Sequence, residues 1–331
     1  MQAWRVHELG DPAAVLRLEE VEAPVPGPGE VLVEVRATAL NFFDILLCQG
    51  AYQEKPPLPF TPGAEVAGTV AAVGDGVDLA VGQRVIALPP LPRGGYAQQV
   101  VAPAANTFPV PDAMSFEEAA AFFVVYQTGY FALHRRAHLG AGETVLVHAG
   151  AGGVGSAAIQ LAVAAGARVF ATAGGAEKVE VCRRLGADVA IDYNAEDFVE
   201  VVKRETKGRG ADVIFDPVGG DIFDRSRRCI AFEGRLVVIG FAGGRVAEVP
   251  TNHVLVKNYS VVGLHWGLYN TLTPHLIVQA HEELLRLYEE GRVKPLIYRA
   301  VPFAEIPAAL DLIGSRATWG KLVARSIHSP S

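Results

Sequence analysis

The chain has 331 residues, half of them hydrophobic, and a formal net charge of -7 at pH 7. This length suits roughly two domains of about 100 to 200 residues each. The acidic balance argues against nucleic acid or an anionic membrane surface as a partner. Its three cysteines, Cys48, Cys182 and Cys229, lack the spacing of a disulfide framework or a thiolate metal cage. With no secretory leader and no run of about 18 apolar residues, we expect a cytoplasmic protein that binds a small molecule.

The first part of the chain carries short β-rich runs punctuated by Pro and Gly. Alternating or compact apolar patterns predict strands at 31–38, 66–74 and 83–88, and another in "GGYAQQVVA". One helix is predicted at "FFDILLCQG". We therefore predict a curled or barrel-like sheet in the N-terminal part of the chain.

A capping box formed by Ser115 and Glu118 predicts a long apolar helix that continues to about Arg136. Beyond residue 144, strands alternate with helices of about 10 to 15 residues, a pattern typical of a mostly parallel, doubly wound sheet. One of these helices is predicted at 225–234, and "YSVVGL" is predicted as a further strand.

The change of pattern predicts two domains, one of them discontinuous. We assign residues 1–122 and 265–331 to the β-rich domain and residues 123–264 to the doubly wound domain. After residue 265 we expect a helix in "PHLIVQAHEELLRLYEEG", then Pro-punctuated strands and a closing strand in "GKLVAR". The last six residues, 326–331, are expected to form a frayed tail.

A glycine-rich loop begins at Gly150 and carries the spacing Gly-x-Gly-x-x-Gly. It lies between a predicted strand and a predicted alanine-rich helix, which is the context of a dinucleotide site. Glycines let backbone N–H groups approach a pyrophosphate, and the positive end of the helix favours its charge. The residues predicted to bind the dinucleotide here are Gly150, Gly152, Gly153, Val154 and Gly155.

The end of the second strand distinguishes NAD from NADP, because an acidic side chain there binds the ribose 2'-hydroxyl of NAD. Here the strand ends at Thr172 and Gly174 without an acid, and Lys178 follows. Small residues leave room for a 2'-phosphate and the lysine adds a counter-charge, so we predict NADPH. Tyr193, just past the third strand, is a further candidate for the adenosine end. The alternative is that Lys178 and Tyr193 are ordinary surface residues.

Several segments in the same order, among them "PFTPGAEVAGTVAAVGDGV", "GGYAQQVV", "HAGAGGVGSAAIQLA" and "SRATWGKLV", resemble the medium-chain dehydrogenase/reductase superfamily. Within it, the chain is similar to the zinc-free quinone oxidoreductases of the zeta-crystallin-like branch. The resemblance implies an α/β fold with a GroES-like, β-rich barrel catalytic domain and a Rossmann NADPH-binding domain. It also implies a homodimer, and reduction of quinones by NADPH, with reduction of enones or alkenals as a near neighbour.

A zinc alcohol dehydrogenase is the alternative within the superfamily. Where those enzymes place a cysteine ligand, this chain has Asn41, and their Gly-His-Glu motif becomes Gly-Ala-Glu, ending at Glu65. The pair His134 and His138 has helical spacing but lacks the glutamate of a zincin. We therefore expect no bound metal, which leaves hydride delivery to an acceptor that is already electrophilic.

By resemblance, Asn41, Asp44 and Tyr52 face the cleft between the domains, close to the nicotinamide. Asn41 would hydrogen-bond the cofactor or the acceptor, and Tyr52 would donate to an acceptor oxygen as negative charge develops. The alternatives are that Asn41 and Asp44 cap a helix and that Tyr52 is a packing or lid residue. Glu65 is expected to have a buried structural role.

Three residues of the doubly wound domain complete the candidate site. Thr128 lies on the predicted long helix, and Gly240 and Phe241 follow a strand at the carboxyl edge of the sheet, where such folds bind ligands. Thr128 could instead bond its own helix backbone, and Phe241 could only fill the core. Two other functions stay open: an NADPH-dependent enoyl or alkenal reductase, and a non-catalytic NADPH-binding structural protein.

Overall fold

The structure is a computed structural model that describes residues 1–326, and it divides into two compact units. Unit 1 comprises Met1–Val124 and the chain from Pro295 onward, and unit 2 is Val125–Lys294. Of the frayed tail expected at 326–331, all but the first residue lie outside the described residues. No helix in the described range is both long and apolar enough to cross a membrane.

The β-strands of the described residues, numbered in chain order, fall into three sheets. They are β1 (Gln2–Val6), β2 (Leu16–Glu20), β3 (Glu30–Leu40), β4 (Val66–Val73), β5 (Arg84–Ala87), β6 (Gln99–Pro103), β7 (Thr107–Pro109), β8 (Thr144–Val147), β9 (Arg168–Ala173), β10 (Val189–Asp192), β11 (Ala211–Asp216), β12 (Ile230–Val238), β13 (Ser260–Gly263), β14 (Ile297–Pro302) and β15 (Lys321–Arg325).

The α-helices are numbered in the same way. They are α1 (Pro12–Val15), α2 (Phe42–Cys48), α3 (Phe116–Ala120), α4 (Phe123–Tyr130), α5 (Gly153–Ala164), α6 (Ala176–Arg184), α7 (Phe198–Glu205), α8 (Gly220–Ser226), α9 (Thr251–Lys257), α10 (Gly267–Leu272), α11 (Pro274–Glu289) and α12 (Ile306–Gly314). A π-helical segment, Phe131–Arg136, follows α4.

Strand β3 organises unit 1, where a sheet runs in the order β14-β15-β3-β4-β5-β7. The carboxyl half of β3 pairs antiparallel with β15, with Leu40 opposite Leu322, and its amino half pairs with β6. Its other edge pairs with β4, with Thr38 opposite Val66. The end of β3 and the starts of β4 and β15 therefore meet at one place in the sheet.

Unit 2 contains a six-stranded parallel sheet in the order β10-β9-β8-β11-β12-β13. The predicted parallel, doubly wound sheet is confirmed. Apolar side chains of its central strands pack against those of α7, which is amphipathic and begins with Asp197 accepting a hydrogen bond from Val199 N. Both faces of the central strands β8 and β11 are covered, so every residue of these strands is buried and most of them are apolar.

The chain returns to unit 1 at Pro295, later than the boundary we placed at 265. Helix α11 belongs to unit 2, since the carbonyl oxygen of Ile277 accepts a hydrogen bond from Gln127 Nε2. Just beyond it, Lys294 N donates to Gln160 Oε1. The sequence pattern marks a helix here but carries no information about which unit it packs on.

The predicted capping box is confirmed, since Glu118 N donates to Ser115 Oγ and Ser115 N donates to Glu118 Oε2. The helical segment predicted to follow it does end at Arg136, but it is not one continuous helix, because α3 ends at Ala120 and α4 starts at Phe123. Val124 N, in the first turn of α4, donates to the carboxylate of Glu65 at 2.8 Å. A side chain distant in sequence thus caps the second helix.

The helix predicted at 225–234 is also wrong, because β12 already begins at Ile230. Ile230 and Ala231 are buried, and Ile230 pairs with Ala211 of β11. A positive φ at Glu233 interrupts the strand before it pairs regularly again. Burial and pairing on the sheet therefore override the local helical pattern.

His148, directly after β8, is fully buried in unit 2. Its Nδ1 lies 3.0 Å from Thr172 Oγ1, and its Nε2 lies 2.8 Å from Ser226 Oγ, whose hydroxyl donates to Ile222 O. Because the serine proton is used, Nε2 carries the imidazole proton and Nδ1 accepts from Thr172. Burial lowers the pKa of His148 to about 3, so the ring is neutral.

We expect His148 to make the protein sensitive to acid. Below its ordinary pKa of 6.5 the unfolded chain binds a proton at this residue, whereas the folded protein does not until about 3. The stability from the neutral ring is therefore complete above pH 6.5 and decreases as the pH falls towards 3. Between about pH 7 and about pH 4.5, the wild type should lose about 3 kcal/mol more unfolding free energy than His148→Gln in urea titrations. Equal losses in both proteins would contradict this assignment.

Candidate functional site

The glycine loop connects β8 to α5, as the sequence predicts. Gly150 N donates to Thr172 O at 2.8 Å, which anchors the loop on the neighbouring strand β9. A Cβ at Gly155 would lie 2.1 Å from the carbonyl oxygen of Ala149, and one at Gly150 would lie 2.9 Å from Ala171 Cβ. These two glycines are therefore required by the packing of the loop itself.

Gly152 differs from these two glycines. It caps α5 at a negative φ, and a Cβ there would meet only the Ala149 oxygen, at 3.2 Å. The next N–H groups, those of Gly153, Val154 and Gly155, lie in the first turn of α5, where N–H groups have no partner within the helix. This row of donors at the positive end of a twelve-residue helix suits a pyrophosphate.

The turn after β9 lies next to the glycine loop in the sheet, because β8 and β9 are neighbours. A Cβ at Gly174 would lie 2.5 Å from the hydroxyl of Tyr193, so the tyrosine ring covers this glycine. Gly175 N donates to Asp192 Oδ1 at 3.0 Å and Gly175 has a φ of 87°, which favours glycine. Lys178 follows in the first turn of α6 and is half-buried. Lys178 and Tyr193 thus flank the same turn.

Thr172, which we predicted to bind the cofactor, has its side-chain hydroxyl next to the imidazole of His148. Its hydroxyl is buried and bonds to His148, and only its carbonyl oxygen contacts the glycine loop. The hydroxyl of Thr172 is thus engaged by His148, and binding of the cofactor by Thr172 stays a prediction.

The remaining predicted residues of unit 2 lie on α4 and after β12. Thr128 is a buried residue of α4. Gly240 and Phe241 follow β12, and the Phe241 ring lies against Gly219, 2.8 Å from the position of a Cβ at that glycine. Because β8, β11 and β12 are consecutive parallel strands of the sheet, the turns after β11 and β12 share its carboxyl edge with the glycine loop.

In unit 1, five buried side chains form what we call the buried polar cluster. Its members are Asn41, Asp44, Glu65, Tyr96 and Lys321. They meet where β3 ends and where β4 and β15 begin, so the strand register described above brings them together. Two predicted catalytic residues, Asn41 and Asp44, belong to it.

Lys321 and Glu65 form the ion pair of the buried polar cluster. Lys321 Nζ donates to Glu65 Oε1 at 3.2 Å, to Leu40 O at 3.2 Å and to Asn41 Oδ1. Glu65 also accepts a hydrogen bond from Val124 N through its second oxygen. Burying either ion alone costs several kcal/mol, so removal of one partner should cost about 3 to 5 kcal/mol. The buried structural role that we expected for Glu65 agrees with these contacts.

Asp44 is enclosed by hydrogen-bond donors. It accepts from Asn41 N at 2.9 Å, from Gly63 N at 3.1 Å and from the Tyr96 hydroxyl at 2.8 Å. Burial is the main cause that raises its pKa to about 6, and these donors oppose the shift. Asp44 therefore caps the start of α2, as the alternative interpretation has it. Its side chain is fully buried, so neither carboxylate oxygen is exposed to a substrate.

Tyr52 lies beside the buried polar cluster but outside it. Its ring packs on Phe43 with centroids 5.3 Å apart, and its side chain is partly exposed. Burial, followed by the charges of Glu54 and Asp44, raises the pKa of its hydroxyl. Tyr52 therefore keeps its proton at neutral pH and can act as a hydrogen-bond donor.

The donors at this place do not fit a catalytic zinc ion. The carboxylate of Glu65 is already bonded to the ammonium group of Lys321 and to the amide of Asn41, and the residue before it is an alanine. Zinc takes thiolate, imidazole or carboxylate ligands in a tetrahedral set. No three His, Cys, Asp or Glu side chains group as ligands within residues 1–326.

Sequence reasoning missed Lys321 as a member of the site. The only available signal was a lysine at the start of the apolar strand "KLVAR", and an end of a strand is an ordinary place for an exposed lysine. Its partners lie more than 250 residues earlier in the chain, so only the pairing of β15 with β3 reveals them.

Two substitutions in the glycine loop should separate its packing role from its binding role. Gly155→Ala places a methyl group against the Ala149 carbonyl and should lower the unfolding free energy by about 3 kcal/mol. Gly152→Ala, the matched control, should change it by less than about 1 kcal/mol but weaken NADPH binding, because the methyl group intrudes on the pyrophosphate. Urea unfolding and NADPH fluorescence titration measure the two effects, and equal stability of both variants would contradict the expectation.

Comparison with known proteins assigns the two parts of the chain to families. Residues 27–112 match the alcohol dehydrogenase GroES-like domain, and residues 153–281 match the zinc-binding dehydrogenase family. Quinone oxidoreductase-like protein 2 of Bos taurus is 40% identical over 310 residues, which cover 93% of this chain and 88% of that protein.

Two solved structures cover nearly the whole chain. Escherichia coli quinone oxidoreductase, solved in complex with NADPH, has a TM-score of 0.91 at 32% identity, over 98% of this chain and all of that one. The CurK enoyl reductase has a TM-score of 0.88 at 30% identity, over 98% of this chain and 99% of that one. The chain is therefore an oxidoreductase of the medium-chain dehydrogenase/reductase superfamily and belongs to its quinone oxidoreductase-like members.

Proposed function

We propose that the protein is an NADPH-dependent reductase of quinones that transfers a hydride directly to the acceptor. The observation that carries the proposal is that a glycine loop shaped for a pyrophosphate lies beside the end of β9, where the strand ends without an acidic residue and Lys178 follows. The likeness to a quinone oxidoreductase solved with NADPH supports the same conclusion.

Unit 2 would hold the pyrophosphate, the adenosine end and the nicotinamide end of NADPH with different residues. The first N–H groups of α5 would bind the pyrophosphate, and Lys178 would neutralise the 2'-phosphate. Tyr193, whose hydroxyl covers Gly174, would line the adenosine end. When bound, NADPH supplies the hydride. Thr128, Gly240 and Phe241 are proposed to line the nicotinamide end, at the carboxyl edge of the sheet.

The likeness to quinone oxidoreductases supports a quinone as the acceptor, and unit 1 offers neutral donors for its oxygen. Asn41 carries an amide N–H, and the raised pKa of Tyr52 keeps its hydroxyl protonated. Neutral donors stabilise negative charge that develops on an acceptor oxygen, and a quinone can take its proton from water afterwards. Asp44 would act indirectly, by holding the backbone of Asn41.

An enoyl or alkenal reductase is the second candidate function, favoured by the likeness to the CurK enoyl reductase. An enone or thioester carbonyl would accept the same hydrogen bonds from Asn41 and Tyr52 while the hydride goes to carbon. The two functions would use the same hydrogen-bond donors. They would be distinguished by which acceptor fits the substrate pocket.

We also propose a homodimer that forms through β13. This strand lies at the edge of the six-stranded sheet, and Val261 on it is exposed. An exposed, apolar edge strand is a template for pairing with a second chain.

A panel of acceptors tests the proposed reaction. Naphthoquinones, alkenals and a crotonyl thioester would be offered to the purified protein while NADPH absorbance is followed. We expect the highest kcat/KM with quinones. The highest value with an alkenal or the thioester would establish the second candidate function, and tight NADPH binding without turnover would favour a structural role.

Substitution of Lys178 tests the choice of cofactor. Loss of a charge-assisted hydrogen bond in Lys178→Ala should raise the KM for NADPH roughly tenfold to a hundredfold. The KM for NADH, which lacks the 2'-phosphate, should be unchanged. Arg184→Ala removes the same charge from the last turn of α6 and is the matched control. Equal effects of Lys178→Ala on both cofactors would exclude the proposed phosphate contact.

A further inference from the structure

The ammonium group of Lys321 has three N–H donors and three acceptors. The acceptors are Leu40 O, Glu65 Oε1 and Asn41 Oδ1. The side chain of Lys321 is 5% exposed and that of Glu65 is fully buried. All three N–H groups of the ammonium are therefore used within unit 1. Lys321 can affect a bound substrate only through the groups that it contacts.

The contact with Asn41 determines how its amide is oriented. An ammonium group only donates hydrogen bonds, so the oxygen of the amide must face Lys321. Asn41 Nδ2 then faces Glu65 Oε1, to which it donates at 3.2 Å. Both charges favour the same orientation, because a flipped amide would place N–H groups against the ammonium and oxygen against the carboxylate.

This orientation leaves the second N–H of Asn41 Nδ2 available. Among the described residues that N–H has no partner, and Asn41 itself is 8% exposed. The backbone of Asn41 is fixed separately, since its N–H donates to Asp44 Oδ2. Backbone and amide are thus held by different members of the buried polar cluster.

We propose that Lys321 is a positioning residue whose ammonium holds the Asn41 amide with its free N–H directed to the acceptor oxygen. The proposal rests on the proposed function, in which Asn41 donates to that oxygen. As the hydride reaches the acceptor, negative charge develops on the oxygen and a fixed N–H stabilises it. Without the cation the amide can flip and present its own oxygen, which repels that charge.

The experiment is a double-mutant cycle between Lys321 and Asn41. Lys321→Met removes the ammonium and keeps the length of the side chain, and it should lower kcat roughly tenfold to a hundredfold while the KM for NADPH stays within about threefold. Asn41→Ala should lower kcat at least as much. If Lys321 acts through Asn41, adding Lys321→Met to Asn41→Ala should lower kcat by no more than about twofold.

Two further variants keep the result interpretable. Glu65→Gln with Lys321→Met removes the ion pair as a whole and does not leave Glu65 as an unpaired buried charge, so it is the variant to use if Lys321→Met alone does not fold. It should show the same loss of kcat. Lys257→Met is the matched control, because Lys257 also donates to backbone carbonyls, those of Arg227 and Arg228 in unit 2, and it should leave kcat unchanged.

The side-chain amide resonances of Asn41 give a readout that needs no turnover. In the wild type they should show one ordered amide, and in Lys321→Met or the Glu65→Gln/Lys321→Met double variant they should shift and exchange faster with solvent. The proposal would be overturned if the losses of kcat in Lys321→Met and Asn41→Ala multiplied in the double variant. It would also be overturned by a wild-type kcat in the Glu65→Gln/Lys321→Met variant, or by unchanged Asn41 resonances. An inactive wild type would instead refute the proposed function, and the resonances would still decide the role of Lys321.

Discussion

The ammonium of Lys321 is the constraint on which the arrangement of unit 1 depends. A buried cation must have all its N–H groups satisfied, and its three acceptors come from the end of β3 and from Glu65 just before β4. Since Lys321 itself begins β15, one group joins three strands that are far apart in sequence. The same contacts fix Asn41, so the packing of the sheet and the orientation of a candidate site residue have one physical cause.

The glycine loop of unit 2 is built from backbone groups and not from charged side chains. The glycine loop is held by backbone contacts and by close packing, with the Ala149 carbonyl filling the space beside Gly155. Its donors are main-chain N–H groups at the start of α5, whose direction is set by the parallel sheet and the helix that follows. The glycine loop depends on residues that have no side chain, because a Cβ would collide with the backbone. The buried polar cluster of unit 1 depends instead on specific contacts between side chains.

Some of this could be predicted from the sequence because the signals are local. The glycine spacing, the small residues after β9 and the alternation of strands and helices are each read within about 30 residues. The wrong helix at 225–234 shows the limit of local signals, because Ile230 and Ala231 were drawn into β12 by burial and by pairing with β11. Thr172 shows another limit, because no local pattern predicts the hydrogen bond between its hydroxyl and His148, 24 residues earlier in the chain.

The sequence by itself determined the fold class, the dinucleotide loop and the lack of an acid where NAD would need one, because each depends on residues that are neighbours along the chain. Only the tertiary structure decided that Lys321 lies against Asn41 and Glu65, that Asp44 is enclosed by donors, and that α11 packs with unit 2. The physical reason is that these contacts depend on strand register and on the cost of burying charge, which are properties of the folded chain.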